Sequence, residues 1–346
     1  MSPLRTSFTR LLGLDAPIVQ APIGGLSVAP LAAAVSRAGG LGMMAISWQT
    51  TDEIRDAIGI VRAATDRPFG VNLIIDEPQD ERLEAALAAG VKVVSFFWGD
   101  PAPYLPAVRR AGARAMLTVG SAAEARRAVD AGVDIIVAQG WEAGGHVWGE
   151  VSTLALVPAV VDAVGPVPVV AAGGITDGRG LAAALVLGAG AAWMGTRFVA
   201  SEETPAHPEY QRRLIEAHET DTFHSSLFDI GWPDAPHRVL RNATVDTWIA
   251  AGRPAPGTRP GEGDVVARRS DGTELVRYSS ISPRSGMTGD ILDLSLWAGQ
   301  GVGLVHEVLP AGEIVRRVTA QAEALLAGLP EPAPGSSRTS RAAAPG

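Results

Sequence analysis

Residues 167–199 read VPVVAAGGITDGRGLAAALVLGAGAAWMGTRFV, and the order of apolar, glycine-rich and amphipathic pieces in this stretch decides the fold. Residues 167–172 form a short, continuously apolar run, the pattern of a parallel strand buried on both faces rather than of a half-exposed one. Gly173-Gly174 turns the chain and Thr176-Asp177-Gly178 supplies the polar residues that start a helix. A second apolar run, 191–199, follows that helix. The same unit recurs upstream, with strand-like runs at 17–23, 41–47, 69–75, 91–98, 114–119 and 133–139. Helix boundaries separate them: Thr51-Asp52-Glu53 opens one helix, Ser121-Ala122-Ala123-Glu124 reads as a capping box, and Ala89-Gly90 and Ala131-Gly132 close two others. Eight strands, each followed by a helix at a spacing of ~20–35 residues, predict an α/β fold of the TIM (β/α)8-barrel type. An open doubly wound sheet shares this periodicity. Its dinucleotide signature G-x-G-x-x-G is missing after the first strand, where the chain reads Ala21-Pro22-Ile23-Gly24-Gly25.

Beyond Ala200 the rhythm changes. Residues 208–218 pattern as a helix, 220–289 are polar, irregular and rich in Gly, Pro and Arg, and 292–298 and 313–326 return to helical patterning. The last of these carries an apolar stripe of Ile314, Val315, Val318, Ala322 and Leu325. The expected organisation is a barrel over 1–200 completed by C-terminal segments, a mainly helical cap or lid with closing helices over 201–329, and a disordered Pro/Ala/Ser/Arg-rich tail over 330–346.

Composition narrows the function classes. Of 346 residues 47% are hydrophobic and 19% charged, which is ample for a large core and too apolar for disorder. Lys+Arg 29 against Asp+Glu 37 gives a net charge of −8, which argues against a nucleic-acid or anionic-membrane partner while leaving room for a small basic pocket. With Cys at 0, disulfides, thiolate metal sites and a cysteine nucleophile are excluded. Residues 1–16 lack the apolar core of a signal peptide, and the most apolar stretch, 181–195, is too short to span a bilayer. The expected location is therefore cytoplasmic.

In such a barrel the reactive groups sit at the carboxyl ends of the strands. At the seventh and eighth ends, Gly173-Gly174 and Trp193-Met194-Gly195-Thr196-Arg197 are suited to a phosphate: glycine lets backbone N–H groups approach an anion, Thr196 adds a hydroxyl and Arg197 a charge. A tight turn alone also accounts for Gly173 and Gly174. At the sixth end, Gln139-Gly140-Trp141-Glu142-Ala143-Gly144-Gly145-His146-Val147-Trp148 places Gln, Glu and His in a Gly-rich loop. His146 is a candidate acid/base, the alternative being a loop histidine bonded to backbone. Glu142 reads as a supporting carboxylate, and Trp141 and Trp148 as pocket walls or packing. Asn72, inside an apolar run at the third end, needs partners that backbone or a ligand can supply. Pro22 and Ile23 make a short, rigid first end suited to lying beside a planar ring. His207, His218, His224, His237 and His306 show no metal-ligand spacing, and no G-x-S-x-G or Walker A element occurs.

Taken together over roughly residues 10–328, these strand ends resemble the nitronate monooxygenases, flavin enzymes formerly called 2-nitropropane dioxygenases. The stretches that carry the resemblance are Pro17-Ile18-Val19-Gln20-Ala21-Pro22-Ile23, Phe69-Gly70-Val71-Asn72-Leu73, Glu142-Ala143-Gly144-Gly145-His146, Ala172-Gly173-Gly174-Ile175, Met194-Gly195-Thr196-Arg197-Phe198 and Trp297-Ala298-Gly299-Gln300-Gly301-Val302-Gly303. The resemblance implies an FMN-containing barrel that oxidises alkyl nitronates with O2 to carbonyl compounds and nitrite. It implies further that Asn72, Gln139 and Gly144 contact the flavin, that Gly174 and Trp193 to Thr196 hold its phosphate, and that His146 is the active-site histidine. The chain departs from the family pattern after His146, where Val147-Trp148-Gly149 puts a bulky ring that would narrow the pocket. Alternatives on the same scaffold are an FMN-dependent NAD(P)H enoyl-[acyl-carrier-protein] reductase, an NAD(P)H:quinone reductase, and a flavin-binding protein without turnover. Barrels of the inosine-monophosphate-dehydrogenase type need a cysteine and are excluded. The sequence is compatible with a monomer or a dimer.

Overall fold

Each of the eight apolar runs contains a strand in the computed structural model, which describes residues 4–328; the expected tail, 330–346, lies outside the described residues. The strands are β1 Ile18–Gln20, β2 Gly42–Ala45, β3 Phe69–Ile74, β4 Val93–Phe97, β5 Arg114–Val119 and β6 Ile135–Gln139. They are followed by a two-residue strand β7 Gly145–His146, then β8 Val169–Ala172 and β9 Ala191–Met194. All but β7 form one parallel sheet in the order β1-β9-β8-β6-β5-β4-β3-β2. The two ends meet: Val19 bridges Leu41, the Gln20 N–H donates to the Leu41 carbonyl at 3.0 Å, and the Leu41 N–H donates to Ile18 at 2.8 Å. The sheet therefore closes into a barrel and leaves no free edge.

Strand alternation explains why the runs are apolar throughout. In β8, Val170 and Ala172 face the barrel interior with Met43, Val93 and Met116, while Val169 and Ala171 pack under the surrounding helices. A helix at Ser7–Leu12, capped by Thr6, plugs the floor. Its Phe8 is fully buried against the interior layer, worth roughly 1.5–3 kcal/mol. The Thr6 hydroxyl donates to the Gly190 carbonyl at 2.6 Å. The amino ends of the strands are thus sealed and the carboxyl ends stay open.

Local signals resolve unevenly. Thr50 and Glu53 form a full capping box at the start of the helix Thr51–Ala64. Ser121 caps the helix Ala122–Ala131, yet the Glu124 carboxylate bonds the Gly120 N–H at 2.7 Å and the Trp148 indole at 3.0 Å, so the expected box is half formed. The run 191–199 divides: β9 ends at Met194, and past Gly195 the chain turns into a short helix, Thr196–Val199.

The helix that belongs after β9 arrives only at Ala311–Ala327, packed between the helices Gly178–Val186 and Ala29–Arg37. Its stripe of Ile314, Val315, Val318 and Ala322 is buried as expected, whereas Leu325 is exposed. Residues 200–310 are an insert over the open end. Two expectations for it are corrected. Residues 292–298 are mostly extended, because Leu296 accepts from the Leu240 N–H at 2.7 Å and Trp297 bridges Val239. The irregular segment 220–289 carries, besides the helix Ala243–Ala250, five short strands: β10 Thr222–Ser225, β11 His237–Leu240, β12 Val265–Arg268, β13 Glu274–Val276 and β14 Thr288–Gly289. These build two three-stranded antiparallel sheets, β10-β11-β7 and β13-β12-β14, too short to show periodicity in the sequence. Arg259 pins the insert, pairing Asp229 at 2.8 Å and Glu262 at 2.5 Å beneath the Tyr278 ring. No helix among the described residues is long and apolar enough to cross a membrane.

Candidate active site

A cavity of about 780 Å³ opens at the carboxyl ends of the strands, between the barrel and the insert. Pro22, Ile23, Asn72, Gln139, Gly144, His146, Gly173, Gly174, Trp193, Gly195 and Thr196 all lie on its wall. Met194 does not: it is fully buried in the layer beneath the helices, because alternation along β9 turns Trp193 inward and Met194 outward.

At the ends of β8 and β9 the backbone forms an anion cradle. Gly173 and Gly174 have φ of +114° and +67°, and a Cβ on Gly173 would stand 2.6 Å from Thr153 Oγ1 and 2.9 Å from the Gly140 carbonyl. Only glycine fits there. The N–H groups of Gly173, Gly174, Gly195 and Thr196 find no acceptor among the described residues, which is what a phosphate-binding backbone requires before its ligand arrives. The Thr196 hydroxyl accepts from the Gly299 N–H at 3.0 Å and ties the cradle to the insert's closing segment. Arg197 is not part of the site. Its guanidinium is buried and donates to the Ala200 and Glu307 carbonyls at 3.0 and 2.6 Å, so it holds the chain leaving the barrel.

Across the cavity, Asn72 accepts from the Ser95 hydroxyl at 2.6 Å and leaves its amide N–H2 without a partner among the described residues. Pro22 and Ile23 form the opposing rigid wall, held by the Ser27 hydroxyl, which accepts from the Ile23 N–H at 2.6 Å. Unspent donors and a flat, Gly- and Pro-lined wall suit a phosphorylated planar ring such as FMN.

His146 lies on a strand rather than in a free loop. β7 pairs with β11 so that His146 sits opposite His237. The imidazole packs 3.9 Å from Trp232, 5.2 Å from Trp297, 5.6 Å from His237 and 5.9 Å from Trp98, centroid to centroid. Its Nε2 is shut off from solvent with no hydrogen-bond partner among the described residues, so the alternative of a loop histidine bonded to backbone finds no partner at that nitrogen. Burial first, and the neighbouring His237 second, push its pKa down to about 3. The ring is neutral at ordinary pH, with one nitrogen unspent.

The loop carrying it is held by residues with structural duties. Gln139 donates to the His146 carbonyl at 3.0 Å and accepts from the Trp148 N–H at 2.8 Å, so both ends of its amide position the loop. Glu142 accepts from the Thr153 N–H and hydroxyl at 2.8 and 2.9 Å, a supporting carboxylate as expected. Arg238 donates to the Ala143 and Trp141 carbonyls at 3.2 and 2.9 Å. Gly144 is needed for close approach, since a Cβ there would lie 2.3 Å from the Gly299 nitrogen.

Trp141 and Trp148 are not on the cavity wall: Trp141 packs on His224 and under Arg238, and Trp148 is 40% exposed. The tryptophans on the wall are instead Trp48, Trp193, Trp232 and Trp297, joined by Phe97. Trp98 backs it edge-on, 5.3 Å from Trp232 and 4.9 Å from Trp148, with φ of +64°, a strained setting for a bulky residue that costs about 1–3 kcal/mol. The insert also contributes Arg269, Arg284, Ser280 and Ser282 to the cavity. Sequence reasoning missed Trp232, His237 and these four because the insert carries no periodic pattern; tryptophans inside a polar segment were the available signal.

Fold and site define a (β/α)8-barrel enzyme with its cleft between the strand ends and an inserted cap. The chain belongs to the nitronate monooxygenase family, an oxidoreductase family whose model, described as nitronate monooxygenase, matches residues 5–81 and 77–321. A Pseudomonas aeruginosa protein named nitronate monooxygenase is 34% identical over 358 residues, 89% of this chain and 97% of its own length. A Mycobacterium tuberculosis protein named (3aS,4S,5R,7aS)-5-hydroxy-7a-methyl-1-oxo-octahydro-1H-indene-4-carboxyl-CoA dehydrogenase is 40% identical over 246 residues, 70% of this chain and 68% of its own. Among solved structures, FabK from Thermotoga maritima superposes with a TM-score of 0.78 at 34% identity, covering 93% of this chain and 97% of that one.

Proposed function

We propose that this chain is an FMN-dependent oxidoreductase that oxidises alkyl nitronates with O2 to carbonyl compounds and nitrite. The backbone cradle at Gly173, Gly174, Gly195 and Thr196 takes the cofactor's phosphate, and Asn72, Pro22 and Ile23 bracket its ring. Bound there, FMN supplies the electron acceptor for the nitronate and a route for the electrons to O2.

The observation that carries the reading is the neutral His146 ring on the cavity wall, whose Nε2 has no hydrogen-bond partner among the described residues. As the N–H tautomer it donates a hydrogen bond to a nitronate oxygen and orients the anion. The depressed pKa bears on substrate choice. A ring that holds a proton only below about pH 3 is a weak base, poorly suited to deprotonating a neutral nitroalkane. A nitronate is already ionised and needs no such base. The Trp232 and Trp297 rings exclude water around the reacting carbon, which strengthens the hydrogen bond from His146.

Substituting His146→Ala tests the role. The variant is expected to keep its flavin absorbance and lose about 10²-fold or more in kcat on a pre-ionised nitronate. Unchanged turnover would remove His146 from the reaction.

A second reading, an oxidoreductase acting on a CoA thioester, is supported by the Mycobacterium relative, which carries a carboxyl-CoA dehydrogenase name, and by Arg269 and Arg284 on the cavity wall, which are in no ion pair among the described residues.

A further inference from the structure

Two arginines on the cavity wall are in no ion pair among the described residues. In the insert, the buried Arg259 and the half-buried Arg277 each pair with a carboxylate, and the buried Arg238 donates to backbone carbonyls. The guanidiniums of Arg269 and Arg284 make no ion pair or hydrogen bond among the described residues, and the Arg269 Nε is buried without an acceptor. They lie close enough that the charge on Arg269 adds to burial in lowering the Arg284 pKa. Beside them the hydroxyls of Ser280 and Ser282 are also buried and unpartnered, with Ser282 only 3% exposed. The one carboxylate that acts on both, the exposed Asp271, offsets them only partly and forms no salt bridge with either: it accepts from the Thr273 N–H at 2.9 Å, while Glu53 caps its own helix through Thr50.

The cluster is also held in place. The Ser280 N–H donates to the Ile230 carbonyl at 2.9 Å, the His207 N–H to Pro283 at 3.1 Å, and the Ser285 N–H to Pro205 at 2.8 Å, so both ends of the 280–285 strap are anchored. The Arg284 guanidinium lies over the turn after β1, where a Cβ on Gly25 would stand 3.0 Å from its Nη1. Two repelling cations and two unsatisfied hydroxyls fixed on one wall cost stability until an anion fills them.

We propose that Arg269, Arg284, Ser280 and Ser282 form a second anion subsite that binds the phosphoryl groups of an elongated substrate or co-substrate, separate from the backbone cradle at β8 and β9. Two guanidiniums offer five N–H donors each, more than the ~four acceptor sites of a carboxylate can use, whereas a di- or monophosphate ester suits such a set. The chemistry fits a CoA thioester or a nicotinamide dinucleotide. The proposal rests on the flavin phosphate occupying the β8/β9 cradle.

Calorimetric titration of the flavin-loaded protein with CoA and with NADP⁺ tests this. At least one of them is expected to bind, with affinity falling as salt rises, and to bind about tenfold or more weakly to an R269Q/R284Q variant. R269K/R284K should recover part of the loss, and S282A should show about a threefold effect in a chain with all charges kept. Binding of CoA alone assigns the thioester, and binding of NADP⁺ alone assigns the dinucleotide. No binding of either, or binding indifferent to all of these substitutions, overturns the subsite. Loss of FMN from R269Q/R284Q would also overturn it, by giving the arginines to the cofactor. Wild-type protein that purifies without flavin would instead contradict the cofactor reading, and the same titrations would still report on the arginines.

Discussion

His237, on β11 opposite His146, should make the stability of this protein depend on pH in a way that one substitution removes. The side chain is 0% exposed, its Nδ1–H donates to the Ala235 carbonyl at 2.9 Å, and its Nε2 accepts from the Phe228 N–H at 3.1 Å. Both nitrogens are satisfied only in the neutral ring, because a second proton would sit on Nε2 against a donor. Burial, only partly offset by the Ala235 carbonyl, pushes the pKa down to about 4. In the unfolded chain the ring titrates near 6.5, so between these values the unfolded state binds more protons and stability falls as pH falls. The contribution is intact above about pH 7 and shrinks as pH drops from about 6.5 towards 4. At pH 5 the loss is about 2 kcal/mol. Urea unfolding of wild type and His237→Gln at pH 7.5 and pH 5 isolates this term, since Gln can still accept from Phe228 while every other titrating group is common to both. Wild type should lose about 2 kcal/mol more than the variant between the two pH values. Equal losses would show that His237 is protonated without penalty and that the environment deduced for β11 and β7 is wrong.

Two further substitutions probe the cleft. Gly144→Ala places a methyl 2.4 Å from the Ala298 carbonyl carbon, forcing the closing segment off the sixth strand end. It should cost about 1–3 kcal/mol in thermal unfolding and reduce flavin retention. Gly174→Asp puts a carboxylate at the backbone cradle and a side chain at φ +67°, so the flavin-to-protein ratio measured by absorbance should fall severalfold; a fully loaded variant would place the phosphate elsewhere.

The barrel was legible because each strand buries both faces and is apolar without a break, as Val169 to Ala172 show. The glycines of the cleft were legible for a related reason: Gly144 and Gly173 stand where backbone touches backbone, and no other residue fits. Direction was harder to read. Met194 and Trp193 are neighbours in sequence and face opposite sides of β9, and Arg197 looks available in the sequence but is spent on carbonyls of the departing chain. The insert was least legible. Its strands run for two to four residues, so the pairing that fixes His146 against His237, and the wall that brings Trp232, Arg269 and Arg284 to the cavity, depend on contacts far apart in sequence. Trp148, expected to narrow the pocket, instead has its exposed indole held by Glu124 in the first turn of the helix Ala122–Ala131.

The most direct test of the central claim is O2 consumption by the purified, flavin-loaded protein on addition of a pre-ionised alkyl nitronate in the absence of NAD(P)H. Rapid uptake with nitrite release, and much slower uptake with the neutral nitroalkane, is the predicted result. No uptake with flavin bound would contradict nitronate oxidation and pass the cleft to the CoA-thioester reading.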